Sequence, residues 1–271
     1  MTKISNEINF QYSGFLDTPL LWQADSILGL NQFQIPEQNT TAFNDTINSK
    51  LRLGKRVERF VSHLLISNAS IDIIAENLQI QRGKLTLGEL DSLINYKGKP
   101  IHLEIVYKFY LYDESVGATE LEHWIGPNRK DSLINKLTKL KEKQLPNLYR
   151  LETKELLKQF NLKSEAIEQF VYFKAQLFVP IQLIHNSFKL INNECIKGIY
   201  VKISELDQLS KCKFHIPTKI NWLVEIHTQI DWLSFEQFIP KIEIITSQHT
   251  APLCWIKYPN GEVIKCFVVW W

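Results

Sequence analysis

Four side chains, Glu58, Asp91, Glu104 and Lys108, combine acids and a base in a pattern suited to phosphate chemistry. Glu89 and Asp91 share one face of a strand-like segment, "GELDSLIN", and Glu104 and Lys108 share one face of the next, "IHLEIVYKFYL". A short turn joins the two segments, so antiparallel pairing brings Asp91 and Glu104 side by side. Two adjacent carboxylates repel, and each raises the other's pKa unless a cation stands between them. A divalent metal or a lysine resolves that conflict. Mg²⁺ or Mn²⁺ held by carboxylates leaves positions open for water and phosphate, and a lysine helps to activate the water or to neutralise the transition state. The expectation is therefore Asp91, Glu104 and Glu58 as metal ligands, with Lys108 serving the attacking water. The bland alternative is a solvated Glu-Lys pair on an exposed sheet face, the ordinary case for an arbitrary strand pair. Against it stands the apolar character of "IHLEIVYKFYL", which reads as a central strand where an unpaired charge is expensive.

Several elements must position these residues. Leu53, Val57, Phe60, Val61, Leu64 and Leu65 recur at helical spacing, with Glu58 bordering the stripe. Ile71 to Ile80 and Leu85 to Ile94 read as strands around an "RGK" turn, and Ile101 to Leu111 as a third strand after Gly-Lys-Pro. In that third strand Ile101, Leu103, Ile105, Tyr107, Phe109 and Leu111 form a core face. His102, Glu104, Val106, Lys108 and Tyr110 form a face left for chemistry or solvent. "HWIGPN" reads as a fixed loop starting a helix marked by Leu133, Ile134, Leu137 and Leu140, which Pro146 stops. A short helix around "TKELLKQF" and a strand in "FVYFKAQLFVP" follow. The order helix, three strands, helix, strand predicts a mixed sheet with helices, of α/β or α+β class.

Residues 1–50 read as an irregular or short-helical arm packed on the body, 51–180 as the core, and 181–271 as a mainly β, Trp-containing region. There "GIYVKIS", "INWLVEIH" and "CWIKYPNGEVIKCFVVWW" are the strand candidates. A two-residue Asn260-Gly261 hairpin would set Cys254 opposite Phe267 and Cys266 opposite Trp255, so that the two thiols do not meet. The four cysteines include no CxxC pair, which speaks against a zinc ribbon. Trp222, Trp232, Trp255, Trp270 and Trp271 could stack bases, although aromatics in short strands are more often core.

The segments "GELD", "HLEIVYKFYL" and "HWIGPNRKDSLINKL…QLP" together resemble a bacterial family catalogued as a domain of unknown function and assigned to the PD-(D/E)XK nuclease-like superfamily. The resemblance spans roughly residues 51–180 and is looser beyond. It implies a restriction-endonuclease-like core and a Mg²⁺- or Mn²⁺-dependent hydrolase. The superfamily's strand Asp then corresponds to Asp91, its lysine to Lys108 and its helical acid to Glu58. The usual second acid lies two positions before the lysine, where this chain has Val106; Glu104, four before it, is the nearest acid on that face, one pleat or about 6–7 Å away. Gln144 and Tyr149 resemble a Gln-and-Tyr helix motif of related nucleases, but with a longer spacing and an intervening Pro, and are not assigned to the site. His102 reads as a hydrogen-bonded structural histidine ahead of a ligand or base, and His123 has no partner at metal spacing.

At 271 residues, with 45% apolar residues and 11% aromatics, the chain supplies a sizeable core. A net charge of +2 argues against a protein that coats nucleic acid by bulk charge. Basic clusters are local: Arg56 and Arg59 in one, and Arg129, Lys130, Lys136, Lys139 and Lys143 in the other. They are the candidate contacts to a nucleic acid, DNA in preference to RNA. No apolar run approaches a membrane span, and the N-terminus lacks a basic-then-apolar leader, so a cytoplasmic protein without membrane partners is expected. No Gly-rich phosphate loop or GxSxG is present. The competing function is a non-catalytic nucleic-acid-binding or assembly module on the same fold.

Overall fold

A computed structural model describes residues 3–23, 26–36 and 42–271. In chain order the elements are α1 (Lys3–Leu16), α2 (Leu53–Ser67), β1 (Ile71–Arg82), β2 (Leu85–Tyr96) and β3 (Lys99–Tyr112). Then come β4 (Trp124–Ile125), α3 (Leu133–Lys139), α4 (Leu151–Lys158), β5 (Glu168–Pro180) and β6 (Ile196–Lys202). The last are β7 (Lys213–His215), α5 (Phe235–Ser247), β8 (Leu253–Lys257) and β9 (Val263–Val269). The class is mixed α/β, and the order α2, three strands, helix, β5 is the one the periodicity predicts. Residues divide into two units. The first comprises Leu20–Tyr107 and Asn135–Lys174, the second Met1–Pro19, Lys108–Ile134 and Ala175–Trp271.

In the first unit the strands run in the order β1-β2-β3-β5. β1, β2 and β3 form an antiparallel meander, with Ile73 opposite Ile94 and Ile94 opposite Ile101. α2 packs on β1 and buries the predicted stripe, including Val57, Phe60, Val61 and Leu65. Ile80, Leu90 and Leu93 from the strands meet Leu148, Leu157 and Ile167 in a core cluster. The one-sided reading of β3 needs correction: His102 and Glu104 are as fully buried as Leu103, at 0% exposure. Strand alternation separates two faces but does not say whether the second is covered.

α3 also differs from the uninterrupted helix expected up to Pro146. It ends at Lys139, a π-helical turn spans Leu140–Gln144, and a 3₁₀ turn holds Leu145–Tyr149 with Pro146 near its start. Gly88 of β2 lets that 3₁₀ turn come close, because a Cβ there would fall 2.5 Å from the Asn147 side-chain nitrogen.

In the second unit β6 lies parallel between β5 and β9, β8 pairs antiparallel with β9, and β7 with β8. The core includes Phe214, Phe238, Ile242, Ile256 and Val268. Two β expectations fail. "INWLVEIH" forms a 3₁₀ turn (Lys219–Leu223) rather than a strand, and α5 interrupts the β-rich region, started by a capping box between Ser234 and Gln237. The terminal hairpin is shifted by one residue from the expected register, setting Cys254 directly opposite Cys266. Its loop is Pro259-Asn260-Gly261: Gly261 N–H donates to Tyr258 O at 2.9 Å, Tyr258 N–H to Glu262 O at 2.8 Å, and Gly261 takes φ +92°. Pro259 lacks the N–H that a ladder position next to a two-residue turn would use, and its fixed φ suits the second position of a type I turn. The result is the three-residue loop with glycine in the left-handed region.

Candidate active site

β2 and β3 pair with Ser92 opposite Leu103. The paired register ends there, and just beyond it Asp91 and Glu104 lie close enough for the Glu104 carboxylate to act on Asp91, the proximity the sequence predicts. Asp91 Oδ2 accepts from the Ile105 backbone N–H at 2.9 Å. Burial, followed by the nearby Glu104 carboxylate, pushes the Asp91 carboxyl up to about 7, against the opposing pull of the Ile105 N–H and of Lys136. Asp91 therefore exchanges its proton near neutral pH, the behaviour of a buried carboxyl that also has an acid beside it.

Glu104 is held on both oxygens. His102 Nε2 lies 3.0 Å from Oε1, and Gln144 Nε2 donates to Oε2 at 2.6 Å. Gln169 Nε2 donates to His102 Nδ1 at 3.0 Å and to the Leu145 carbonyl at 2.7 Å. That contact makes Nδ1 the acceptor and leaves the ring proton on Nε2, facing Glu104. Lys136 Nζ in turn donates to Gln144 Oε1 at 2.7 Å. Lys136 and Gln144 are eight residues apart, about 80° out of phase on a regular α-helix. The π turn takes up that difference by spreading its turn over more residues, which puts both side chains on one side.

A cleft of about 630 Å³ opens here, lined by Asp91, Gln144, Lys139, Lys143, Arg150 and Glu89 among others. Lys139, Lys143 and Arg150 are exposed, Arg150 Nε donating to Asn147 Oδ1 at 2.8 Å, so the cleft pairs an acidic wall with solvent-facing cations. Glu58 belongs to a neighbouring group: Lys55 Nζ bridges Glu58 at 2.7 Å and Glu89 at 3.2 Å. Burial raises the Glu58 carboxyl despite Lys55. Glu58 also raises the Asp91 carboxyl, by less than Glu104 does.

Lys108 belongs to the second unit, where its Nζ is 2.6 Å from Asp131 Oδ2. Arg56 leaves the predicted basic surface altogether. It is buried, donating through Nε to the Leu51 carbonyl and through Nη2 to that of Ser49, both at 3.0 Å. Arg59 is exposed on α2. Arg129 and Lys130 lie in the second unit, where Arg129 pairs with Asp113 at 2.8 Å and sits over the Trp271 ring. Sequence reasoning missed Arg150 and set Gln144 aside. The Gln-and-Tyr resemblance was the available signal for Gln144, and its longer spacing and intervening Pro146 spoke against it.

Among the described residues no three of His, Cys, Asp and Glu gather closely enough to hold a metal ion. The donors that do meet, Asp91 and Glu104, suit Mg²⁺ or Mn²⁺, which need only one or two carboxylates when water and phosphate complete the shell. They do not offer the nitrogen and sulfur set of zinc. Among the described residues no helix is long and apolar enough to cross a membrane.

No curated protein and no solved structure matches the chain. A family model does match, over residues 21–268, nearly the whole length. The chain carrying this paired-acid cleft therefore belongs to the family described as a domain of unknown function, DUF1853.

Proposed function

We propose that the first unit is a restriction-endonuclease-like core whose cleft cleaves phosphodiester bonds in nucleic acid, DNA in preference to RNA. The observation that carries this reading is the pairing of Asp91 with Glu104 beside a cleft lined by Lys139, Lys143 and Arg150. Asp91 and Glu104 would hold Mg²⁺ or Mn²⁺, which when bound supplies charge stabilisation at the phosphate and a more acidic water. The chain's own groups do the rest. Lys139, Lys143 and Arg150 bind backbone phosphates, Gln144 and His102 orient Glu104, and Lys136 brings positive charge to the carboxylate pair. In this reading Lys136 takes the part first expected of Lys108.

A second reading, a non-catalytic nucleic-acid-binding module, draws support from Glu104, both of whose oxygens are already hydrogen-bonded, and from buried Val106 in place of the usual acid. Incubating the purified protein with single- and double-stranded DNA and RNA, in Mg²⁺, Mn²⁺ or EDTA, tests both. Cleavage that needs metal and disappears in Asp91→Ala and Lys136→Ala supports the enzyme. Cleavage indifferent to both substitutions is a contaminant and sinks it. Binding without cleavage that survives EDTA and is lost in a Lys139→Ala/Lys143→Ala/Arg150→Ala variant supports the second reading.

A further inference from the structure

One cation of the cleft differs from the others. Lys139 and Lys143 carry exposed point charges on flexible stems. Arg150 is exposed too, but its guanidinium is tethered, because Nε donates to Asn147 Oδ1 at 2.8 Å. That bond uses the inner nitrogen and leaves Nη1 and Nη2 at the open end of the side chain. The acid nearest in sequence, Glu152, is engaged by Arg82 Nε at 2.7 Å. The guanidinium therefore keeps its charge for a ligand.

The tether is itself built in. Asn147 is only 7% exposed, in the 3₁₀ turn Leu145–Tyr149. Its carbonyl accepts from the fully buried Thr153 Oγ1 at 2.6 Å, and the next residue, Leu148, sits in the core cluster with Leu90 and Leu93. Its side-chain amide lies where a Cβ at position 88 would be, so β2 must carry glycine there for the amide to keep its place. Gly88 and Asp91 are three residues apart on β2, about 10 Å along the strand. A rigid strand thus fixes the spacing between the seat of Asn147 and the acid of the cleft.

A guanidinium is planar, so holding Nε–H on an acceptor restricts the plane of the whole group. The outer N–H groups then form a fork that matches two oxygens of one phosphate, and less freedom is lost when the phosphate arrives. An ammonium cannot do this, since it has charge but no fork.

We propose that Arg150 is the register-setting residue of this cleft: it grips one phosphate of the bound strand through Nη1 and Nη2, at a place fixed by Asn147 and Gly88, while Lys139 and Lys143 add charge without position. The proposal rests on the nucleic-acid reading above. Asn147 and Gly88 act through Arg150 and are positioning residues.

Fluorescence anisotropy of the full chain with short fluorescein-labelled single- and double-stranded DNA, in EDTA, tests it at several salt concentrations. Arg150→Lys keeps the charge, so affinity should fall about tenfold while the slope against log salt stays the same. Asn147→Ala should weaken binding to a similar extent, and Asn147→Ala/Arg150→Lys should bind no more weakly than either single variant, because a lysine has no Nε to be held. In ¹⁵N NMR without DNA, Arg150→Lys should remove one arginine Nε–H signal, and Asn147→Ala should move that signal to the position of solvent-exposed arginines. Circular dichroism and melting follow the fold of each variant. Equal affinity of the parent and Arg150→Lys would overturn the proposal and leave the nucleic-acid reading standing. Single-variant losses that multiply in the double variant, or an unmoved Nε–H signal in Asn147→Ala, would overturn the positioning role. No DNA binding by the parent would overturn the proposal and the nucleic-acid reading together.

Discussion

Gln144 donates from the π turn after α3 to Glu104 in the middle of β3, over 2.6 Å, and the same amide accepts from Lys136. One side chain thus ties a fully buried carboxylate to the lysine of the adjoining helix. Without it, Glu104 would retain His102 on one oxygen and have an empty position on the other.

Removing that amide therefore has a stability cost of its own. Gln144→Ala should lower the free energy of unfolding by about 1–3 kcal/mol, the cost of stranding a buried acceptor. Urea titration measures it. A change within a few tenths of a kcal/mol would mean that water replaces the amide freely.

Asp91 makes the fold pH-dependent in a defined direction. Its carboxyl stands at about 7 in the folded protein against 3.8 ordinarily, so between those values the folded state binds more protons than the unfolded state. Stability must then fall as pH rises through that window, by an amount on the order of a few kcal/mol for an isolated group. Asp91→Asn should flatten the dependence and be more stable than the parent above pH 7. Chemical denaturation at pH 5 and pH 8 would decide; a parent that gains stability across this range contradicts the assignment.

Divalent metal should reverse the effect at the same residue. If Asp91 and Glu104 hold Mg²⁺ or Mn²⁺, the ion competes with the Asp91 proton and favours the folded state by mass action. The melting temperature should rise with added metal, more at pH 8 than at pH 6, and stay flat in Asp91→Asn. A metal-induced rise of equal size in the variant would place the ion elsewhere.

The thiols offer a check on the hairpin register. Cys195, Cys212, Cys254 and Cys266 are all buried, and none forms a disulfide. Burial pushes Cys254 and Cys266 far up, away from the thiolate that reacts. Ellman's reagent should find almost no reactive thiol in the native protein and all four after denaturation in guanidinium. Because Cys254 faces Cys266, paired Cys254→Val and Cys266→Val substitutions should depart from additivity, as contacting residues do. Additive effects would argue for the register expected from the sequence, with Cys254 opposite Phe267.

Local pattern alone determined much of this protein. The 3.6-residue stripe of α2, the strict alternation of β3 and the short turn before it already set Asp91 beside Glu104, because side-chain period and antiparallel register are properties of the chain itself. Only tertiary structure decided what surrounds that pair. Covering β3 on both faces turned a candidate solvent-facing Glu104 into a fully buried one. A π turn, invisible to helical periodicity, rotated Gln144 onto it. Arg56, a surface cation by sequence, was spent on backbone carbonyls, and Pro259 moved the terminal hairpin by one residue. The acids' adjacency follows from hydrogen bonds between segments close in sequence. Their burial and their partners depend on contacts between residues far apart in the chain, and no local period encodes those.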